Sequence, residues 1–162
     1  MSKKELSLES LKKDYKKIQN KYGLPEFKKL NEDFSIEKIS EIETDYLIRE
    51  IRRFMGEKFS NYLRFSEAIL NPVNVPMFVL SVVKTMSSED KKRVTEIYKK
   101  LSKIEVELLE LEAEFSDKKE AEFIKESFKT WQEIKKGLLE FVSTIKNRWD
   151  NKFEMNSKSY FG

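Results

Sequence analysis

Five glutamates lie within ten residues of this sequence, and their carboxylates are the first groups to consider for chemistry. They are Glu105, Glu107, Glu110, Glu112 and Glu114. Carboxylate oxygens bind hard cations such as Mg²⁺ or Mn²⁺, provided that several of them point inward from facing helices. Here leucine and isoleucine fill the inward positions of the helical pattern, and the glutamates flank them. We therefore predict a solvated, salt-bridged face, with no metal site and no cofactor.

The arginines are the second group whose type and spacing suggest chemistry. Four of the six fall in one predicted helix, and they are Arg49, Arg52, Arg53 and Arg64. Arg49, Arg53 and Arg64 share one stripe with Gly56 and Ser60, and guanidinium groups bind carboxylate or phosphate bidentately. This stripe predicts either a binding site for an acidic partner or a nucleic-acid backbone, or simple pairing with Glu50, Glu57 or the glutamate-rich segment. Pairing is the favoured interpretation, because helices in so charged a chain commonly carry such pairs.

The residues that the sequence lacks exclude several classes of enzyme. It contains no histidine and no cysteine, which excludes Ser-His-Asp and Cys-His nucleophile systems, disulfides and the common structural zinc sites. Its four glycines are scattered, so no glycine-rich phosphate loop is present. We predict that the protein is not an enzyme, although an enzyme that uses carboxylates alone stays open.

Length and charge set further limits. The chain has 162 residues, of which 39% are hydrophobic and 38% charged, enough for one domain with its own core. The formal net charge is only +3, so net charge does not imply nucleic-acid binding, although a local patch could still provide it. Neither an apolar leader nor a segment long enough to span a bilayer is evident. We expect a cytoplasmic protein that does not enter a membrane.

One unbroken heptad pattern must position the glutamates. Its apolar members step by three and four residues, as on one face of an α-helix, and they are Val94, Ile97, Leu101, Ile104, Leu108, Leu111 and Phe115. The pattern predicts a helix that starts at Ser87 or Ser88 and runs to Phe115. Asp117 and Glu120 then form a capping-box signal for a last helix.

Similar patterns predict the remaining helices. The first covers residues 7–22 and stops at Gly23; a short turn through Phe27 and Leu30 follows. The second runs over residues 35–70 with Ser35 as N-cap, and a short apolar helix covers residues 76–86 after a break that contains two prolines.

The last helix places its apolar residues in heptad step with one exception, Lys135. These residues are Ile124, Phe128, Trp131, Leu138, Val142, Ile145 and Trp149. Residues 151–162 read as a frayed tail. The predicted fold is an all-α, elongated, mainly antiparallel bundle of about four long helices plus one short apolar helix, in a single domain over residues 1–150.

The first helix carries a lysine-rich face. Its lysines include Lys12, Lys13, Lys16 and Lys17, which could lie along nucleic acid or an anionic surface. Its apolar face suits docking onto the bundle equally well, and packing is the favoured interpretation.

The short helix predicted over residues 76–86 carries apolar side chains around almost its whole circumference. Such a helix is commonly buried, and burial within the chain is the favoured interpretation. Any part left uncovered would need a partner or a second copy. We predict a homodimer whose interface includes Met77 or Phe78, with Val75 beside them.

These patterns together predict a non-enzymatic helical interaction or scaffold protein that binds another macromolecule or itself. The alternative is a nucleic-acid-binding accessory protein that uses Arg49, Arg52, Arg53 and the lysines of the first helix.

Overall fold

The protein is all-α in the computed structural model, which describes the backbone of residues 2–160 and the side chains of residues 2–151 except Lys3 and Leu6. No strand occurs within that range. The helices are α1 (Lys3–Tyr22), α2 (Phe27–Phe34), a 3₁₀ helix (Ile36–Glu41), α3 (Leu47–Leu70), α4 (Met77–Thr85), α5 (Ser88–Ala113) and α6 (Asp117–Tyr160). The predicted fold class, a helical bundle, is confirmed.

The contacts divide the chain into two compact units. Unit 1 consists of Met1–Asn61 and Lys103–Trp131, and unit 2 of Tyr62–Ser102 and Gln132–Gly162. Each of α3, α5 and α6 contributes residues to both units. The assignment of residues 1–150 to one domain stays a prediction.

The first helix ends where the sequence predicts. Gly23 has a φ of 69°, and its N–H donates to the Gln19 carbonyl at 2.8 Å. This left-handed residue is the usual stop for an α-helix. The start lies earlier than predicted: α1 begins at Lys3, because Ser2 caps it and forms a capping box with Glu5.

The prediction of a single helix over residues 35–70 is wrong, because the structure has a 3₁₀ helix and α3 there. Ser35 does not start a long helix: it takes a left-handed φ of 52°, terminates α2 and precedes the 3₁₀ helix without a side-chain capping bond. The Asn31 side chain accepts a hydrogen bond from the Glu37 N–H at 2.8 Å and so fixes the turn into the 3₁₀ helix. Residues 42–46 then separate that helix from α3, where the Thr44 hydroxyl accepts from the Tyr46 N–H. Such side-chain bonds compete with helical ones.

Unit 1 has an aromatic core. Phe59 lies 5.5 Å from Phe34 and 5.9 Å from Trp131 between ring centroids, and Phe123 packs on its other side. In this unit α3 and α5 are antiparallel and approach closely at Gly56, where a Cβ would lie 3.2 Å from Leu108.

Unit 2 has an aliphatic core with one phenylalanine. Its buried members are Ile69, Val82, Val94, Phe141 and Ile145. Here α5 and α6 are antiparallel, and the Lys100 ammonium bonds the Glu133 carboxylate at 2.6 Å.

The heptad pattern of α5 is confirmed from Val94 to Leu111, all of whose six members are buried. Phe115 is the exception, since it lies past the end of α5 and is 40% exposed. In α6 half of the predicted face is one residue off: Ile134 and Phe141 are buried where Lys135 and Val142 were assigned. The offset is present from the start of the pattern, since Ser127 is buried and Phe128 only partly, and the three-and-four spacing itself holds as far as Ile145.

The start of α6 differs from the prediction by one residue. Ser116, not Asp117, caps its start, because the Ser116 hydroxyl accepts from the Lys119 N–H at 3.4 Å. The backbone is helical as far as Tyr160, where a frayed tail is predicted from Asn151. The side chains of residues 152–160, and Phe161 and Gly162 altogether, lie outside the described residues, so the behaviour of the tail stays a prediction.

Candidate functional site

A buried ion-pair cluster in unit 1 is built on Arg52, an arginine of α3 that is not a member of the predicted stripe. The Arg52 Nε donates to Glu120 Oε2 at 2.8 Å, and its Nη2 donates to Glu120 Oε1 at 3.3 Å. Arg52 Nη1 also bonds the Glu112 carboxylate. Glu120 is 0% exposed and Arg52 only 4%, so this guanidinium is enclosed between two carboxylates and is not available to a ligand.

The electrostatics of this cluster favour its charged form. Burial acts to lower the pKa of Arg52, but hydrogen bonds to Glu120 and Glu112 outweigh it and raise that pKa. The hydrogen bond from Arg52 lowers the pKa of Glu112. These shifts favour the ionised forms of Arg52 and Glu112 and so describe a structural ion pair.

The other arginines of α3 are in different surroundings. The Arg49 guanidinium stacks on Phe115, 3.9 Å from the ring centroid, and lies 5.4 Å from that of Tyr46. Arg53 is exposed and pairs with Glu50 at 3.1 Å. Arg64, in unit 2, is exposed. Arg52 and Arg53 are thus paired with carboxylates, as the favoured interpretation predicted, and Arg49 is held by aromatic rings.

A groove runs between α3 and α5 in unit 1, with a volume of about 590 Å³. We call it the α3–α5 groove. Ile42, Phe54, Leu108 and Leu109 supply its apolar lining. Its polar lining consists of Glu50, Glu57, Ser60, Glu105 and Glu112 with Arg52 and Arg53.

Four of the five glutamates clustered around the end of α5 bond nearby side chains. No group of three or more carboxylates among the described residues is arranged to hold an ion. Glu110 and Glu114 instead pair with Lys119 at 3.6 and 3.0 Å, and Glu105 accepts from the Ser60 hydroxyl at 3.0 Å.

In unit 2, α4 and the loop before it carry an exposed apolar surface. Met77 is 75% exposed, Phe78 58% and Val73 66%; we call these three residues the α4 surface. The Phe78 ring meets Trp149 edge-on at 5.7 Å, which holds it in place without covering it. Val75 is half-buried beside the same segment. The opposite side of α4, with Val79 and Val82, is buried.

The lysines of α1 from Lys12 to Lys17 are exposed, as predicted. Lys17 pairs with Asp14 at 2.8 Å, and Lys16 bonds the Gln19 side chain at 3.2 Å. The Lys12 ammonium lies over the Phe27 ring at 5.8 Å, and Lys13 is exposed on the same helix. The apolar side of α1 is packed, with Leu11 and Tyr15 buried.

Sequence reasoning missed two features of these surfaces. Glu120 was assigned to a helix cap, whereas it is the buried partner of Arg52. Val106 and Leu109, 66% and 65% exposed, are apolar residues outside the heptad pattern. That mismatch was visible in the sequence and could have indicated a second apolar face on α5.

No helix in the described part of the chain is long and apolar enough to cross a membrane. The chain matches no protein-family model, and neither a curated protein nor a solved structure matches it significantly.

Proposed function

We propose that this chain is a non-enzymatic helical interaction protein that associates with a second copy of itself through the α4 surface. The observation that carries the proposal is the exposure of Met77 and Phe78, two large apolar side chains adjacent in the chain. Exposed apolar surface of this kind is costly in water and marks interaction sites.

The chemistry of α4 favours a second copy as the occupant. Its nine residues contain a single charged side chain, Lys84. Because the surface is nearly uncharged, bringing two copies together meets little like-charge repulsion. A two-fold axis also lets one self-complementary patch form the whole contact. Phe78 is already oriented by Trp149, so little side-chain freedom remains to be lost on binding.

Light scattering across a concentration series tests the proposal. The expected mass is about twice the 19.4 kDa of one chain. Phe78→Glu should give a soluble monomer with unchanged circular dichroism, because the introduced charge would be buried without a partner in the dimer. Leu139→Glu is the matched control: Leu139 is also an exposed apolar residue of unit 2, and this variant should stay dimeric.

Two results would contradict the proposal. A monomeric unmodified chain at the highest concentration measured would rule out self-association, and a dimeric Phe78→Glu variant would rule out the α4 surface as the interface. Unfolding of Phe78→Glu in a monomeric protein would instead identify α4 as part of the core.

Nucleic-acid binding, the alternative function, is supported by the exposed lysines of α1. Its test uses Lys12, Lys13, Lys16 and Lys17, each changed to Glu, since charge reversal at the buried Arg52 would disrupt unit 1 itself. Retention by nucleic acid should fall steeply with salt and be lost in the lysine variant. Absence of retention at low salt excludes this alternative.

A further inference from the structure

The α3–α5 groove of unit 1 combines an apolar floor with exposed apolar residues at its edge. Leu109 lines the groove and is 65% exposed, and Ile42 lines it at 44%. Val106 precedes Leu109 by three residues and therefore lies on the same face of α5. This face is distinct from the buried heptad face of α5, which Leu108 occupies.

The rim of the groove has an excess of negative charge. Four carboxylates and two guanidinium groups line it. Arg52 is taken up by Glu112 and Glu120, and Arg53 pairs with Glu50. Among the residues that the structure describes, Glu57 forms no ion pair, and Glu105 bonds only the Ser60 hydroxyl. Two carboxylates at the rim are therefore left without a cation.

We propose that the α3–α5 groove binds an amphipathic helix of a partner protein, with leucine-type side chains on one face and lysine or arginine beside them. The apolar face would contact Ile42, Val106 and Leu109, and the cations would pair with Glu57 and Glu105. Helix-in-groove binding of this kind uses apolar anchors at i, i+3 or i+4, and i+7.

The dimensions of the groove fit such a helix. Its lining extends along α3 from Glu50 to Ser60 and along α5 from Glu105 to Glu112. At about 1.5 Å per residue, these segments are roughly 12 to 16 Å long, the span of two to three helical turns. That span accommodates three successive anchors.

Charge argues against a second copy of this chain in the groove. A two-fold contact there would bring Glu57 and Glu105 close to the same carboxylates of the other copy, and like charges disfavour such an interface. The proposal is thus independent of self-association through the α4 surface.

Fluorescence anisotropy with synthetic peptides tests the proposal. The probe is a labelled leucine–lysine peptide of about 18 residues with leucine at i, i+3, i+4 and i+7, long enough to form a helix. The comparison peptide replaces every lysine by glutamate. At about 0.15 M salt, where distant charges are screened, the basic peptide should bind saturably and the acidic peptide should not.

Three variants locate the binding. Leu109→Ser should weaken binding of the basic peptide by about tenfold or more, because a buried leucine contact is lost. Combined Glu57→Gln and Glu105→Gln should weaken it by about threefold to tenfold. Leu139→Ser, at a leucine of similar exposure (62%) in unit 2, should leave the affinity unchanged, as should Phe78→Glu.

Three results would overturn the proposal. The basic peptide would show no saturable binding, the acidic peptide would bind equally well, or Leu109→Ser would bind the basic peptide with unchanged affinity. A lower mass of Leu109→Ser in light scattering without peptide would show that a second copy, not a partner helix, covers the groove. Circular dichroism confirms that the variants fold, which is expected because both leucines are exposed.

Discussion

Unit 1 and unit 2 differ in the charged groups that they bury. Unit 1 encloses a complete guanidinium–carboxylate pair, Arg52 with Glu120, beside its aromatic core. Unit 2 has an apolar core. Among its described residues a single carboxylate is buried, that of Asp90 at the start of α5. There Asp90 caps the helix through Ser87 and accepts from Arg148.

The difference shows how each unit fixes the register of its helices. A bidentate ion pair is directional, so Arg52 and Glu120 allow a single alignment of α3 and α6 within unit 1. Apolar packing in unit 2 depends on shape and volume, which tolerate more change. Loss of one partner should therefore cost unit 1 more than any single polar change costs unit 2.

The largest expected effect is that of Glu120→Ala. It leaves the Arg52 guanidinium buried without its main partner, which should destabilise the fold by about 3–5 kcal/mol. Urea unfolding followed by circular dichroism measures the change. Glu122→Ala, at an exposed glutamate on the same helix, should cost less than about 0.5 kcal/mol. Equal effects of the two changes would show that Glu120 is not buried.

Leucine truncation compares the apolar packing of the units. Leu101→Ala in unit 2 and Leu108→Ala in unit 1 should each cost about 2–5 kcal/mol, because both side chains are buried in the heptad face of α5. Leu109→Ala is the control. Leu109 directly follows Leu108 but is exposed, so its truncation should change stability little. A cost for Leu109→Ala as large as for Leu108→Ala would show that the groove is covered in the isolated protein.

Acid should weaken the polar contact of unit 2. Burial acts to raise the pKa of Asp90, but hydrogen bonds from Ser87 and Arg148 outweigh it and hold that pKa below its usual 3.8. The contact thus stabilises the fold fully above the unfolded pKa and is lost as pH falls through the lower folded value. Asp90→Asn should cost about 1–3 kcal/mol at pH 7, with a difference that shrinks below about pH 4.

Unfolding of Asp90→Asn and the unmodified chain at several pH values measures this difference. Glu89→Gln, one residue earlier and highly exposed, is the control and should show no comparable loss. A pH-independent deficit for Asp90→Asn would contradict the assigned role of the Asp90 charge.

The smallest expected effect is that of Glu110→Ala. Its carboxylate is exposed and lies 3.6 Å from Lys119, and exposed pairs of this kind contribute well under about 1 kcal/mol. The same urea unfolding experiment measures it. A loss comparable to that of Glu120→Ala would require a buried carboxylate at Glu110 and would contradict the solvated glutamate face.

Local pattern alone was sufficient for much of the fold. The three-and-four spacing of α5 predicted its buried face, and Gly23 predicted the end of α1. The turn at Ser35 and the break at residues 42–46 were not predictable from apolar spacing, because they involve side-chain bonds, of Asn31 at the turn and of Thr44 at the break. The one-residue offset in α6 arose because the pattern was assigned to the apolar Phe128 and Val142, whereas Ser127 and Phe141 are the buried residues.

The sequence by itself determined the helical class and some helix ends, such as those at Tyr22 and Leu70, since these depend on neighbours in the chain. Its composition alone excluded histidine and cysteine chemistry. Only the tertiary structure decided which charged residues are buried and which apolar ones are exposed. Glu120 and Glu122 look alike in sequence. Their burial differs because it depends on which residues of other helices pack against them, and those lie far away along the chain.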